Sequence, residues 1–231
     1  LILYKQQKNM ATPSNVSIDK VSDSHTISVQ NITCIRNEIP LFQPVSFTVR
    51  SGEVLLITGP NGSGKTSLLR SLTGLSDLSD DNQWSIKWQN HDIRKRIYDY
   101  QQSMAYIGHQ PGIKYELTVR ENLETISAIL GREFKIDMNQ AISEVGLNLQ
   151  ADTTVQKLSA GQRKRASLCR LLLFKSSLWI LDEPQASLDK EGMKLLEKMI
   201  VNHLENSGLI IMTTHQQART TTLSLHPYEY E

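Results

Sequence analysis

The sequence has no stretch that could cross a lipid bilayer as a helix. Its longest apolar runs, such as Leu171 to Phe174, Leu178 to Leu181 and Leu209 to Met212, fall far short of the roughly 18 residues that such a segment needs. Any membrane role must therefore come through a partner, with no direct insertion by this chain. Cysteine is scarce: Cys34 and Cys169 stand far apart, each without a second Cys nearby. That fits neither a disulfide framework nor a zinc knuckle and points to a reducing compartment. Charge of one sign is missing too, since 25 Lys and Arg against 24 Asp and Glu leave a net charge of +1. Composition thus names no acidic partner and no nucleic acid. The first 24 residues lack a secretory apolar segment; they carry Lys5, Lys8 and Lys20 but no Arg, and include Asp19 and Asp23, a poor match to an Arg-rich organellar leader. A flexible N-terminal segment over 1–24 is expected, and because Leu1 is not Met while Met10 follows shortly, the true start stays open. Internal repeats and low-complexity tracts are absent from the sequence.

What is present fits one globular unit of 231 residues with room for a subdomain. Apolar residues alternate at Ile27 and Val29 and again at Val45, Phe47 and Val49, which predicts two strands of a small antiparallel lead-in, with a loop around Asn37 to Pro40. Glu53 to Thr58 predicts a buried strand and Lys65 to Leu72 a helix. Trp84, Ile86 and Trp88 alternate on one face of a further strand and are assigned to packing. From Val119 to Val145 the spacing is helical, broken at Gly131 and Gly146. After Ser159 a helix is expected to run through Leu168 to Phe174. Leu178 to Leu181 then predicts a strand, Met193 to Leu204 a helix and Leu209 to Thr213 a strand. Strands alternating with helices predict a parallel sheet. The basic runs Arg94 to Arg96 and Arg163 to Arg165 read as solvated faces in a chain so near neutral.

Three segments carry chemistry. Gly59, Pro60, Asn61, Gly62, Ser63, Gly64, Lys65 and Thr66 match G-x-x-x-x-G-K-[ST] without a mismatch, between a predicted strand and a predicted helix. Glycines let the backbone curl so that N–H groups point at phosphate oxygens, and the helix adds its positive end. Lys65 would neutralise the β and γ phosphates, and the Thr66 hydroxyl would ligate Mg²⁺. Second, the apolar run from Leu178 delivers Asp182 and Glu183 at the carboxyl end of its strand, where α/β sheets keep their sites. Asp182 would hold Mg²⁺ through water, and Glu183 would orient and deprotonate the attacking water. Third, Leu158, Ser159, Ala160, Gly161 and Gln162 form a serine-capped, glycine-containing helix start that offers a hydroxyl, N–H groups and a dipole to an anion.

That third segment resembles the LSGGQ signature of ABC ATPases, with Ala160 replacing the first glycine. Ser187, Leu188 and Asp189 resemble the family's D-loop, and His215, after Thr213 and Thr214, resembles its switch histidine. The resemblance covers nearly the whole chain from about Thr26 to His215. It implies an α/β fold, a P-loop NTPase of ABC type with a mostly parallel sheet core, an antiparallel β lead-in and a helical subdomain at about 111–165 within a domain of 25–231. It implies ATP and Mg²⁺ as cofactors and a homodimer in which the signature meets ATP bound by the other protomer. His215 would sense the γ phosphate. Counting back from Leu117 and Thr118 places either His109 or Gln110 at the family's catalytic and metal-binding glutamine; Gln110 is taken, on the assumption of one deleted residue. The aromatic that stacks on adenine is missing, and Arg36 occupies about that place, where a guanidinium plane can stack instead.

Within the family, Tyr106 to Lys114, Leu178 to Pro184 and Thr213 to Gln216 are similar to the ATP-binding subunits of haem-handling complexes of cytochrome c maturation, the CcmA type. Gln185, after the Walker B proline, is unusual there. This likeness implies integral membrane subunits as partners, docked near the Q-loop and helical subdomain. It also implies ATP-driven haem export or release of a haem chaperone, at the cytoplasmic face of a bacterial inner membrane or the matrix face of a mitochondrial one. No residue points to a haem ligand. The alternatives are an ABC ATPase of another transporter or of soluble iron–sulfur cluster assembly.

Overall fold

Alternating apolar residues in the first strands fold as an antiparallel sheet in the computed structural model, which describes residues 25–75, 83–132, 134–214 and, for the backbone alone, 222–224. Strand β1 (Thr26–Ile32) is followed by the two-residue strands β2 (Ile35–Arg36) and β3 (Ile39–Pro40), and then by β4 (Val45–Arg50). The loop expected around Asn37 is thus a miniature hairpin. Asn37 and Glu38 both have positive φ, 50° and 65°, the backbone a two-residue hairpin turn needs. Next come β5 (Val54–Thr58), α1 (Lys65–Leu72), β6 (Ser85–Trp88) and β7 (His91–Asp92). The lead-in sheet has the order β4-β1-β6-β7, and Ile86 and Trp88 lie buried on it as the alternation predicts, with Trp84 partly buried against the same core.

Helix α2 (Ile97–Gln102) and strand β8 (Met104–Ile107) follow, neither expected from periodicity. The helical stretch from Val119 to Val145 resolves into α3 (Val119–Leu130) and α4 (Met138–Glu144), with Gly131 closing α3 at φ 56°, and the helix expected after Ser159 is α5 (Ala160–Leu173). Thr118 and Glu121 make a capping box at the start of α3, two reciprocal bonds that satisfy otherwise unpaired backbone donors. A separate apolar cluster that includes Leu123, Ile142, Val145, Leu147, Leu158 and Cys169 joins these three helices. Then follow β9 (Leu178–Leu181), α6 (Lys190–Glu205), β10 (Leu209–Thr213) and β11 (Thr222–Ser224). Helix α6 starts three residues before the expected Met193, because the Asp189 carboxylate accepts from Gly192 N–H at 2.7 Å and caps a first turn that has no apolar signal of its own.

The second sheet has the order β11-β5-β10-β9-β8, and its strands pair in parallel among the described residues. Period-two geometry divides its strands between two cores. Leu55, Ile57, Leu178, Ile180, Leu209 and Ile211 face one apolar cluster, shared with α1 and the lead-in sheet. Leu56, Trp179, Leu181, Ile210 and Met212 face the other, with Leu168 and Leu171 of α5 and Leu196, Met199 and Ile200 of α6. A sheet covered on both sides explains why β9 and β10 read as unbroken apolar runs. It also fixes the site. Parallel strands put the carboxyl ends of β5, β8, β9 and β10 on one edge, where register sets Ile57 against Thr213, Met212 against Leu181, and Leu181 against Ile107.

Candidate nucleotide site

The glycine-rich turn between β5 and α1 sits on that edge. Gly64 has φ +87°, and a Cβ there would lie 2.6 Å from the Phe42 ring, so both backbone conformation and space demand glycine. Gly62 at φ +83° needs it for conformation alone. No side chain caps α1, which leaves its first N–H groups facing the turn. Lys65 is 7 % exposed and donates to the carbonyls of Gly59 at 2.8 Å and Pro60 at 2.9 Å, an ammonium held along the loop rather than in water. The buried Ser63 Oγ has no hydrogen-bond partner among the described residues. A buried hydroxyl at this place suits a phosphate oxygen.

Asp182, 1 % exposed, leaves the end of β9 and accepts two hydroxyl hydrogen bonds. One comes from Thr66 at 2.7 Å, across a sequence separation of 116 residues, and the other from Thr213 at 2.7 Å. Thr213 in turn accepts from Glu183 N–H at 2.8 Å, so one hydroxyl bridges both acidic residues. Glu183 has φ +46°, an uncommon conformation for a side chain of that size. The Thr66 hydroxyl and Asp182 carboxylate are hard oxygen donors beside a phosphate loop. Such a pair fits Mg²⁺, which keeps waters and takes one or two protein ligands together with substrate phosphates. In the sequence Thr213 and the neighbouring Thr214 mark only a strand end and part of a family match. Paired hydroxyls closing an apolar run were the available signal.

A cleft of about 460 Å³ opens over the loop, lined by Asn61, Lys65, Thr66, His109 and Glu183, with Arg36 and Leu41 at its side. A larger cavity of about 690 Å³ lies at Lys135, Ser177 and His203, beyond the opposite end of β9, so volume does not single out the site; chemistry does. Of the two Q-loop candidates, His109 lines the cleft, with Nδ1 3.7 Å from Glu183 Oε2. His109 and Gln110 are both exposed, so burial does not choose between them. His215 lies outside the described residues, as does the segment 1–24.

Ser159 caps α5 through a complete capping box, accepting from Gln162 N–H at 3.1 Å while Gln162 Oε1 accepts from Ser159 N–H at 2.9 Å. Gly161 packs against the D-loop, where a Cβ would lie 3.3 Å from Ser187 O and 3.9 Å from Asp189 N. Ser159, Gly161, Gln162 and Asp189 form one patch, and none lines the cleft of their own chain. The basic run in α5 corrects the expectation of a solvated face, because successive helical residues point about 100° apart. Arg163 lies over the Tyr115 ring at 5.4 Å and donates to Leu158 O. Lys164 is 4 % exposed; burial pushes its pKa down, while the charges of Asp182 and Glu183 oppose that shift. Arg165 donates to Val145 O and approaches Asp189 at 4.0 Å. The run Arg94 to Arg96 is exposed, as expected.

A strand, phosphate loop and helix, an acidic strand end and a serine-capped signature helix on one parallel sheet define a P-loop ATPase of the ABC class. The family model for ABC transporters matches residues 42–186, and the chain belongs to that family. Among solved structures it resembles a putative ABC transporter ATP-binding protein from Pyrococcus furiosus, with a TM-score of 0.72 at 20 % identity over 87 % of this chain and 98 % of that one. It also resembles an ATP-binding subunit of an ABC transporter, with a TM-score of 0.75 at 22 % identity over 87 % and 85 %. More particular likeness lies with proteins named cytochrome c biogenesis ATP-binding export protein CcmA. The one from Nitrosomonas europaea is 44 % identical over 87 % of this chain and 93 % of its own length. That from Vibrio vulnificus is 43 % identical over 82 % and 92 %. Among the described residues no helix is long and apolar enough to cross a membrane.

Proposed function

We propose that this chain is the ATP-hydrolysing nucleotide-binding subunit of an ABC complex in c-type cytochrome biogenesis, energising haem export or the release of a haem chaperone. One observation carries the hydrolytic part: the Thr66 to Asp182 hydrogen bond, beside Glu183, in a cleft that also holds Lys65. Similarity to relatives named for cytochrome c biogenesis supports the pathway.

In this reading the amides of Gly59 to Gly64, with Pro60, Asn61 and Ser63 between, curl around the triphosphate and Lys65 neutralises its outer phosphates. Thr66 and Asp182 hold Mg²⁺, which when bound offsets charge gathering on the leaving oxygen. Glu183 orients the attacking water and takes its proton. Gln110 takes the Q-loop position, next to His109 at the same end of the cleft, and His215 acts as γ-phosphate sensor by its place in the motif order. Arg36 stacks on adenine. Ser159, Gly161, Gln162 and Asp189, turned away from their own cleft, meet the nucleotide of a second copy in a homodimer. Integral membrane subunits dock by the Q-loop and a helical subdomain at about 111–165. The chain is then peripheral, on the cytoplasmic face of a bacterial inner membrane or the matrix face of a mitochondrial one.

Phosphate release with Glu183→Gln tests the chemistry: the variant is expected to retain ATP in stable dimers without turnover, and turnover at the wild-type rate refutes the base assignment. Affinity purification from membranes tests the pathway. Small integral membrane proteins are expected to come down with the chain, whereas soluble partners alone favour cluster assembly.

A further inference from the structure

We infer that Gln185 is a positioning residue for Glu183, holding the acidic turn against the exit of β10 in register for hydrolysis. This rests on the proposed role of Glu183 as base. Two cross-ties join these segments one step apart. Thr213 Oγ1 accepts from Glu183 N–H at 2.8 Å, and Gln185 Nε2 donates to Thr214 Oγ1 at 3.2 Å. Pro184, whose ring fixes its φ, stands between Glu183 and Gln185 and makes the two ties act on one stiff turn. The turn is closed by Ala186 N–H donating to Glu183 O at 3.0 Å. Glu183 at φ +46° and Ser187 at φ +64° are both left-handed, a strained pair that persists only where surrounding contacts over-determine it. The second tie is one of those contacts.

The other end of the same amide separates positioning from folding. Gln185 Oε1 is shut away from solvent and accepts no hydrogen bond from the described residues, which is unfavourable for a buried acceptor. Replacing the amide with an apolar group of similar length removes a favourable bond and an unfavourable orphan together. Stability is therefore expected to change little, while the register of Glu183 is lost.

Gln185→Met and Gln185→Ala test this in the full chain, assayed by Mg-ATP turnover, nucleotide affinity and thermal unfolding. For Gln185→Met, kcat is expected to fall about tenfold, the scale of one hydrogen bond expressed in a rate, with KM and nucleotide affinity within twofold and Tm near wild type. Gln185→Ala supplies the same kcat-against-KM readout should the Met variant fold poorly. Thr214→Val also lowers kcat, and adding Gln185→Met to it costs nothing further, because one tie is lost in either case. Wild-type kcat in Gln185→Met, losses that multiply in the double variant, or a fall in affinity equal to the fall in kcat overturn the inference. Wild-type turnover in Glu183→Gln overturns the base assignment and this inference with it; wild-type turnover in Gln185→Met alone overturns only the inference.

Discussion

Replacing Thr213 with Val keeps the shape of a fully buried side chain and removes only its hydroxyl. That hydroxyl donates to Asp182 Oδ1 at 2.7 Å and accepts from Glu183 N–H at 2.8 Å, and the residue is 0 % exposed, so water cannot take its place. Two hydrogen bonds are lost, one of them to an ionised carboxylate; Asp182 keeps its bond from Thr66. At about 1 kcal/mol for the bond from the Glu183 N–H and about 1.5–3 kcal/mol for the bond to the Asp182 carboxylate, the destabilisation comes to about 2–4 kcal/mol. A chain of this size loses about 2–4 °C of Tm per kcal/mol, so a fall of roughly 5–15 °C is expected. Global stability of ~5–15 kcal/mol leaves the variant folded at room temperature. Urea unfolding monitored by circular dichroism measures the difference directly, with Thr213→Ser as the control that keeps the hydroxyl. ATP turnover in Thr213→Val is expected to fall as well, since Glu183 loses its anchor. A Thr213→Val midpoint within the error of wild type would refute the bridging role.

Lys65→Ala is expected to abolish nucleotide binding or turnover, measured by ATP titration and phosphate release; normal ATPase activity is incompatible with the phosphate-loop assignment. Acid stability depends on His203, which stacks on Trp179 at 3.9 Å and is pushed down to about 4 by burial, from an ordinary value near 6.5. The unfolded chain then binds a proton between pH 6.5 and 4 that the folded chain refuses, so this contribution is complete above pH 6.5 and lost as pH falls toward 4, by roughly 3 kcal/mol. Denaturation of His203→Leu across that range is expected to be less pH-dependent than wild type; parallel curves would refute the assignment.

Much of the fold was legible because its elements are locally encoded. The phosphate loop needs glycine at set positions, the apolar runs of β9 and β10 need cover on both faces, and Ser159 announces a helix start through its own capping box. Elements without such signals were missed: β8 is four residues long, α2 six, and the Asn37 hairpin only two residues a side. The start of α6 was displaced because a polar first turn carries no periodicity.

Residue types and spacing, then, determined the phosphate loop, the acidic pair after an apolar strand, the signature turn and the family they belong to. Those are properties of contiguous segments, each set by backbone conformation or by hydrogen bonds a few residues long. Only the tertiary structure decided that His109 lines the cleft beside Glu183, that Lys164 is buried while Arg163 and Arg165 bond to nearby carbonyls, and that Thr213 bridges Asp182 and Glu183. These depend on strand register and helix packing, which bring together groups far apart along the chain, as with Thr66 and Asp182 across 116 positions. No local pattern records which face of a neighbour a side chain will meet.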